Sequence, residues 1–165
     1  MQQTEHTAHG TLDELKRLVS GFSLTLFEIP QAQTFGIGVG VALSESSFVV
    51  VSVLGGDPEM PLLTSGVLRD INQDRLSTLE ACNDRVSQNP LMPFYLHDDS
   101  RGWDILLQQR FPLMLLRREP GFLQMCLASQ ADVTEEARIL FAERGLGGRA
   151  YGLNDASLLL SKSMF

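Results

Sequence analysis

The run FVVVSVL, Phe48–Leu54, limits the possible folds more than any other part of the chain. Side chains alternate across a strand, so Phe48, Val50 and Leu54 lie on one face and Val49, Val51 and Val53 on the other. Both faces are apolar, and a sheet containing such a strand needs a cover on each side. The preceding run, FGIGVGVAL, is lopsided instead. Phe35, Ile37, Val39 and Val41 point one way, and Gly36, Gly38, Gly40 and Ala42 the other. If helices cover one face, the second cover is the chain's own C-terminal tail, a second subunit or a client peptide. An uncovered face would expose on the order of several hundred Å², the size of a binding patch. Phe35, Ile37, Val39, Val49, Val51 and Val53 are therefore the expected peptide-binding or dimer surface.

Residues 67–109 set the architecture around these strands. Leu76, Leu79, Cys82 or Asn83, and Val86 recur every three to four residues, one face of a helix. Pro90 pushes the residue before it out of the helical region, so the helix stops there. Residues 94–97 then read as a strand, 98–102 as a turn and 103–109 as the hairpin partner. The expected fold class is α+β. It has a twisted antiparallel sheet of about five strands, a helix between the third and fourth, and a long helix after the last.

The remaining chain fits one domain of 165 residues. Residues 1–10 read as a disordered leader, 11–148 as the α+β domain and 149–165 as a C-terminal tail. Thr11 with Glu14 forms a capping-box pattern ahead of a short helix on Leu12, Leu15, Leu18 and Val19. Residues 22–29 read as a strand closed by Pro30, and 44–46 as a turn. Leu113 to Leu116 lead out of the sheet, and Pro120 suits a first helical position. The stripe Phe122, Leu123, Cys126, Leu127, Ala131, Val133, Ala137, Leu140 and Phe141 runs to Gly145, as one helix or as two broken near residues 129–134. The tail carries Leu158, Leu159, Leu160, Met164 and Phe165, apolar enough to dock but without a period.

Charge and motifs narrow the function classes. A net charge of -7 argues against nucleic acid or an anionic membrane surface, both of which need a concentrated positive face, and favours basic or apolar polypeptide partners. Two cysteines, Cys82 and Cys126, make neither a disulfide framework nor a zinc knuckle; half-buried reduced thiols fit a cytoplasmic protein. The N-terminal ten residues lack a signal-peptide pattern, and no apolar run approaches a membrane span. The glycines of GIGVGVAL lead into another strand rather than a helix N-terminus, which does not suit a dinucleotide site. His97, Asp98 and Asp99 have no partner ligands at metal spacing and match turn composition. His6 and His9 lie in the leader, leaving His97 without the orienting group a hydrolytic nucleophile needs. Trp103 reads as a core anchor. No catalytic residue, cofactor or metal is expected.

TSGVLRDI at residues 64–71, CND at 82–84, PFYLHDD at 93–99 and QADVTEEARILFAERGLGG at 130–148 resemble the actinobacterial YbjN / type III secretion chaperone-like group. The resemblance covers most of residues 64–148. It implies a small acidic α+β protein, homodimeric, that binds peptide segments of partners without nucleotide or metal. The usual proline after Ser65 is Gly66 here, and the glycine-alternating strand and the long tail have no counterpart. The expected function is thus a non-catalytic chaperone-like or adaptor protein. The alternative is a small-molecule-binding or regulatory domain with a cavity under the bare glycine face.

Overall fold

The structure is a computed structural model, which describes residues 2–30, 36–88, 94–99 and 102–162. Helix α1 (Gln2–Ser20) precedes β1 (Thr25–Glu28), β2 (Gly36–Ala42), β3 (Phe48–Leu54) and β4 (Asp57–Ile71). Helix α2 (Arg75–Gln88) leads to the hairpin β5 (Phe94–Asp99) and β6 (Gly102–Arg110). Helices α3 (Leu113–Arg118) and α4 (Pro120–Glu143) follow, then a 3-10 turn (Leu153–Asp155) and α5 (Ala156–Lys162). The six strands form one antiparallel sheet in the order β1-β2-β3-β4-β6-β5, which realises the expected α+β class with one strand more.

The extra strand is β4. Its Pro58, Pro61 and Gly66 punctuate the run and hide it from pattern reading. The strand tolerates them because it is irregular, with register shifts in its pairing to both β3 and β6. The inserted helix therefore falls between the fourth and fifth strands.

Val39, Val41, Val49, Val51, Val53 and Leu63 pack under Leu12, Leu15 and Val19 of α1, Leu113 and Leu116 of α3, and Leu123 and Leu127 of α4. Further along the same side, Val67, Ile71, Ile105 and Leu107 meet Ala81, Cys82, Ala137 and Phe141, and the rings of Phe94 and Phe141 touch edge to face at 5.7 Å. Helix α4 runs unbroken through residues 129–134, where Thr134 turns its hydroxyl back onto the Gln130 carbonyl at 2.7 Å. Trp103 packs at the edge of this core, half-buried, with the Arg75 guanidinium 5.5 Å from its ring. Both thiols are fully buried rather than half-buried. Burial pushes Cys82 up to about 11 and raises Cys126 as well.

The two ends of the chain differ from expectation. In place of the disordered leader expected over residues 1–10, residues 2–10 form the first half of α1, with Ala8 in the core one turn before Leu12, and Met1 lies outside the described residues. Thr11 and Glu14 are consequently mid-helix and make no capping box. Thr11 is buried, and Glu14 accepts both guanidinium bonds of Arg117 at 2.7 and 2.9 Å. The tail expected to lack a period folds back across the sheet as a 3-10 turn and α5, and its apolar residues supply the second cover.

Candidate functional site

The face of the sheet opposite α1, α3 and α4 is floored by glycine. Gly38, Gly40 and Gly66 share it, and each leaves a socket that a larger side chain fills. A Cβ on Gly40 would lie 2.1 Å from the Phe27 ring, one on Gly38 2.7 Å from Cδ1 of Leu160, and one on Gly66 2.2 Å from the Tyr151 ring. Phe27 is the cross-strand partner of Gly40, so its ring covers the gap directly opposite. The other two occupants come from the C-terminal segment. Around them Ile29, Phe48, Val50, Leu106, Ala156 and Leu159 complete an apolar layer.

A buried ionic corner holds one end of this segment. Asp104 is fully buried on β6. One of its oxygens accepts the Asp70 backbone N–H at 2.9 Å; the other accepts the Tyr151 hydroxyl at 2.6 Å and the Lys162 ammonium. Burial raises the Tyr151 phenol well above its usual range, and the hydrogen bond to Asp104 adds to the effect, so the hydroxyl stays protonated and donates. Arg69 lies 5.6 Å from the Tyr151 ring centre and pairs with Asp155, while Arg149 donates to the Asp70 carboxylate at 2.8 Å. Three cations, Arg69, Arg149 and Lys162, thus meet three carboxylates, Asp70, Asp104 and Asp155. The charges balance, with Lys162 and Asp104 enclosed and Arg149 about half exposed at the rim.

Local backbone geometry builds this corner. The β3 partner of β4 ends at Thr64, and further along β4 Arg69 exchanges both backbone hydrogen bonds with Arg149 at 2.9 Å. Asp70 sits at φ 59°, a left-handed conformation that aspartate tolerates better than most residues, and its N–H is turned to Asp104. Gly148, at φ 76°, lets the returning chain pass within contact of the Arg69 carbonyl, where a Cβ would stand 2.8 Å away. Every oxygen of Asp104 is engaged and none of its surface is open, so the corner suits anchoring rather than proton transfer to a substrate.

The expected surface residues are placed elsewhere. Val39, Val49, Val51 and Val53 are buried to within 1% beneath the helices, and Ile37 packs half-buried against the same cluster. Phe35 lies outside the described residues. These side chains are core because α1, α3 and α4 together cover that whole face. With both faces covered, the chain itself supplies the two covers that the doubly apolar strand needs. The glycine side, for its part, holds Leu160, Phe27 and Tyr151 where a small-molecule cavity was the alternative. His97 lies half-buried on the edge strand β5 as the direct cross-strand partner of Asp104, beside the ionic corner, and its Nδ1 is enclosed without a hydrogen-bond partner. Sequence reasoning missed Arg69, Asp104, Tyr151, Asp155 and Lys162. Asp104 carried a usable signal, being a lone carboxylate in the apolar strand run WDILL.

The arrangement, helices on one side of an antiparallel sheet and a polypeptide segment seated on the other, is an α+β fold. A solved structure similar to it in fold is that of YbjN from E. coli, a protein proposed to be a transcription regulator. The TM-score is 0.57 at 12% identity, covering 81% of this chain and 93% of that one. The likeness is one of fold, and it supports the YbjN-like class rather than the actinobacterial type in particular. Neither the models of known families nor the curated proteins give a match to the chain. Among the described residues no helix is long and apolar enough to cross a membrane.

Proposed function

We propose that this protein is a non-catalytic, peptide-binding adaptor of the YbjN / type III secretion chaperone-like kind, and that its binding surface is the glycine face of the sheet. One observation carries the reading: a polypeptide segment is already seated there by side-chain insertion, Leu160 over Gly38, Tyr151 over Gly66 and Lys162 onto buried Asp104. Glycine sockets accept protruding side chains, and a buried carboxylate gives a basic residue one fixed place. Such a surface recognises a short helix with an aromatic residue, a leucine pair and a lysine. The acidic net charge of -7 favours basic segments over acidic ones during encounter.

The test uses the full chain carrying Leu160→Asp, which weakens its own tail, and a labelled synthetic peptide of residues 149–162. The expected result is saturable binding in the micromolar range, abolished when Gly38→Leu fills the socket in the same background. A folded Leu160→Asp protein that leaves the peptide unbound at millimolar concentration would overturn the reading.

A further inference from the structure

The C-terminal segment matches the glycine face in charge better than in hydrogen bonding. At the Asp104 corner each charged group has a partner of opposite sign. Away from the corner, across β3, β4 and β6, a row of uncharged polar groups has no such match. Ser52 and Thr64 are fully buried, and neither hydroxyl has a hydrogen-bond partner. Gln108 is half-buried, and its side-chain nitrogen is enclosed and unpartnered as well. Thr64 is the direct cross-strand neighbour of Gln108 and of Val50, and Ser52 is two residues along from Val50. The three groups therefore form one polar ledge on the same face as Leu106 and the glycines. What lies over its β2 side is a leucine: the socket at Gly38, cross-strand partner of Ser52, is filled by Leu160.

Buried polar groups are almost always paired, because an unpaired one forfeits its hydration. A ledge of three on one face, with a leucine methyl over its Ser52 end, is complementary to something other than that leucine. The connection to the core also allows exchange. Between α4 and the first contact with β4, Gly145, Gly147 and Gly148 all adopt positive φ, at 72°, 67° and 76°. Glycine gives that link its conformational freedom. The three cations and three carboxylates of the corner regain hydration when they separate.

Building on the peptide-binding reading above, we infer that residues 149–162 are an internal plug that a partner displaces, and that the partner is a helical segment of specific chemistry. It shares the aromatic and basic anchors of the tail. In place of Leu160 it carries a hydrogen-bonding side chain, such as glutamine or asparagine, that pairs with Ser52 and the polar groups beside it. The plug keeps an otherwise exposed apolar face covered, and the mismatch over the ledge keeps it displaceable.

Two labelled peptides test this on the full chain: residues 149–162 as they stand, and the same peptide with Leu160→Gln. Against wild-type protein both bind at least ten-fold more weakly than against the tail-released Leu160→Asp protein, because the tethered tail competes at high effective concentration. In the released protein, Ser52→Ala strengthens the unaltered peptide and weakens the glutamine peptide, shifting their preference by about ten-fold. Should Leu160→Asp fail to fold, Lys162→Glu releases the tail at its other anchor. Equal binding to wild-type and released protein overturns the plug. A preference ratio unmoved by Ser52→Ala overturns the partner chemistry while leaving peptide binding intact, whereas no binding of either peptide removes the peptide-binding reading itself. A released protein that pairs with a second copy through exchanged tails assigns the groove to self-association and overturns the external partner.

Discussion

The ring of Tyr151 lies on Gly66, occupying the space 2.2 Å from where a Cβ would stand. The two residues are 85 positions apart, and their contact joins the C-terminal segment to the centre of the sheet. Gly66→Ala should therefore expel the ring, cost about 2 to 3 kcal/mol through overpacking and lost burial, and lower the melting midpoint by roughly 5 to 10 °C. Tyr151→Ala alone destabilises as well, but the two losses should not add, since either change empties the same contact. Urea denaturation of the two single variants and the double variant measures this. Fully additive losses would show that the ring and the glycine are independent.

Asp104 and Lys162 form the enclosed pair at the other end of the segment. Asp104→Leu strands the ammonium in an apolar setting and should cost about 3 to 5 kcal/mol, or release the tail if that costs less. Adding Lys162→Met should recover most of the loss, because two well-packed apolar residues often replace a buried ion pair at little net cost. Chemical denaturation together with amide exchange over α5 distinguishes global from local loss. A double variant no better than Asp104→Leu would mean that the pair does not act as a unit.

The acid limb of stability has an identifiable contributor. The hydrogen bond from Arg117 holds the Glu14 carboxyl below its ordinary value of 4.5. A depressed folded-state value means stabilisation that is complete above pH 4.5 and lost as the pH falls through the folded value. Arg117 is about half exposed, so water and salt screen the pair and the contribution is at most about 1 kcal/mol. Glu14→Gln should lower the plateau above pH 4.5 by that amount and remove the matching fall below it, so that the variant and wild-type profiles converge in acid. Added salt should shrink the difference, and a profile identical to wild type would exclude Glu14 as the source.

Much of the layout was legible because it rests on local periodicity. The doubly apolar strand of residues 48–54 demanded two covers, and the helical stripe from Phe122 to Phe141 marked the long helix that supplies part of one. The second cover was not legible. ASLLLSK has no helical period of its own, and its docking is set by sockets at Gly38 and Gly66, more than 85 residues away. The ionic corner was hidden for the same reason, since Arg69, Asp104 and the pair Asp155 and Lys162 come from three separate stretches. The features without counterpart in the resembled group, Gly66, the glycine-alternating strand and the long tail, are one feature in three dimensions: the tail needs the glycines as its floor. That Val39, Val49, Val51 and Val53 lie beneath the helices was not legible, because alternation says which residues share a side, not which side the helices take.

That distinction yields a contrast between the covers on the two faces of the sheet. Val51 is fully buried between its partners Val39 and Leu63, beneath α1, α3 and α4. Val51→Asp places an unpaired carboxylate where no part of the chain can move aside without dismantling the main core, so the domain should unfold or lose more than about 4 kcal/mol. Leu159 is as completely buried on the opposite face, but it belongs to a seven-residue helix beyond a glycine link. Leu159→Asp should free that segment and leave the sheet folded, with amide exchange accelerated over α5 and protection retained in β3 and β4. A Val51→Asp protein that stays folded but loses an association would restore the helix-covered face as a binding surface. Global unfolding by Leu159→Asp would make the tail an integral part of the core rather than a removable cover.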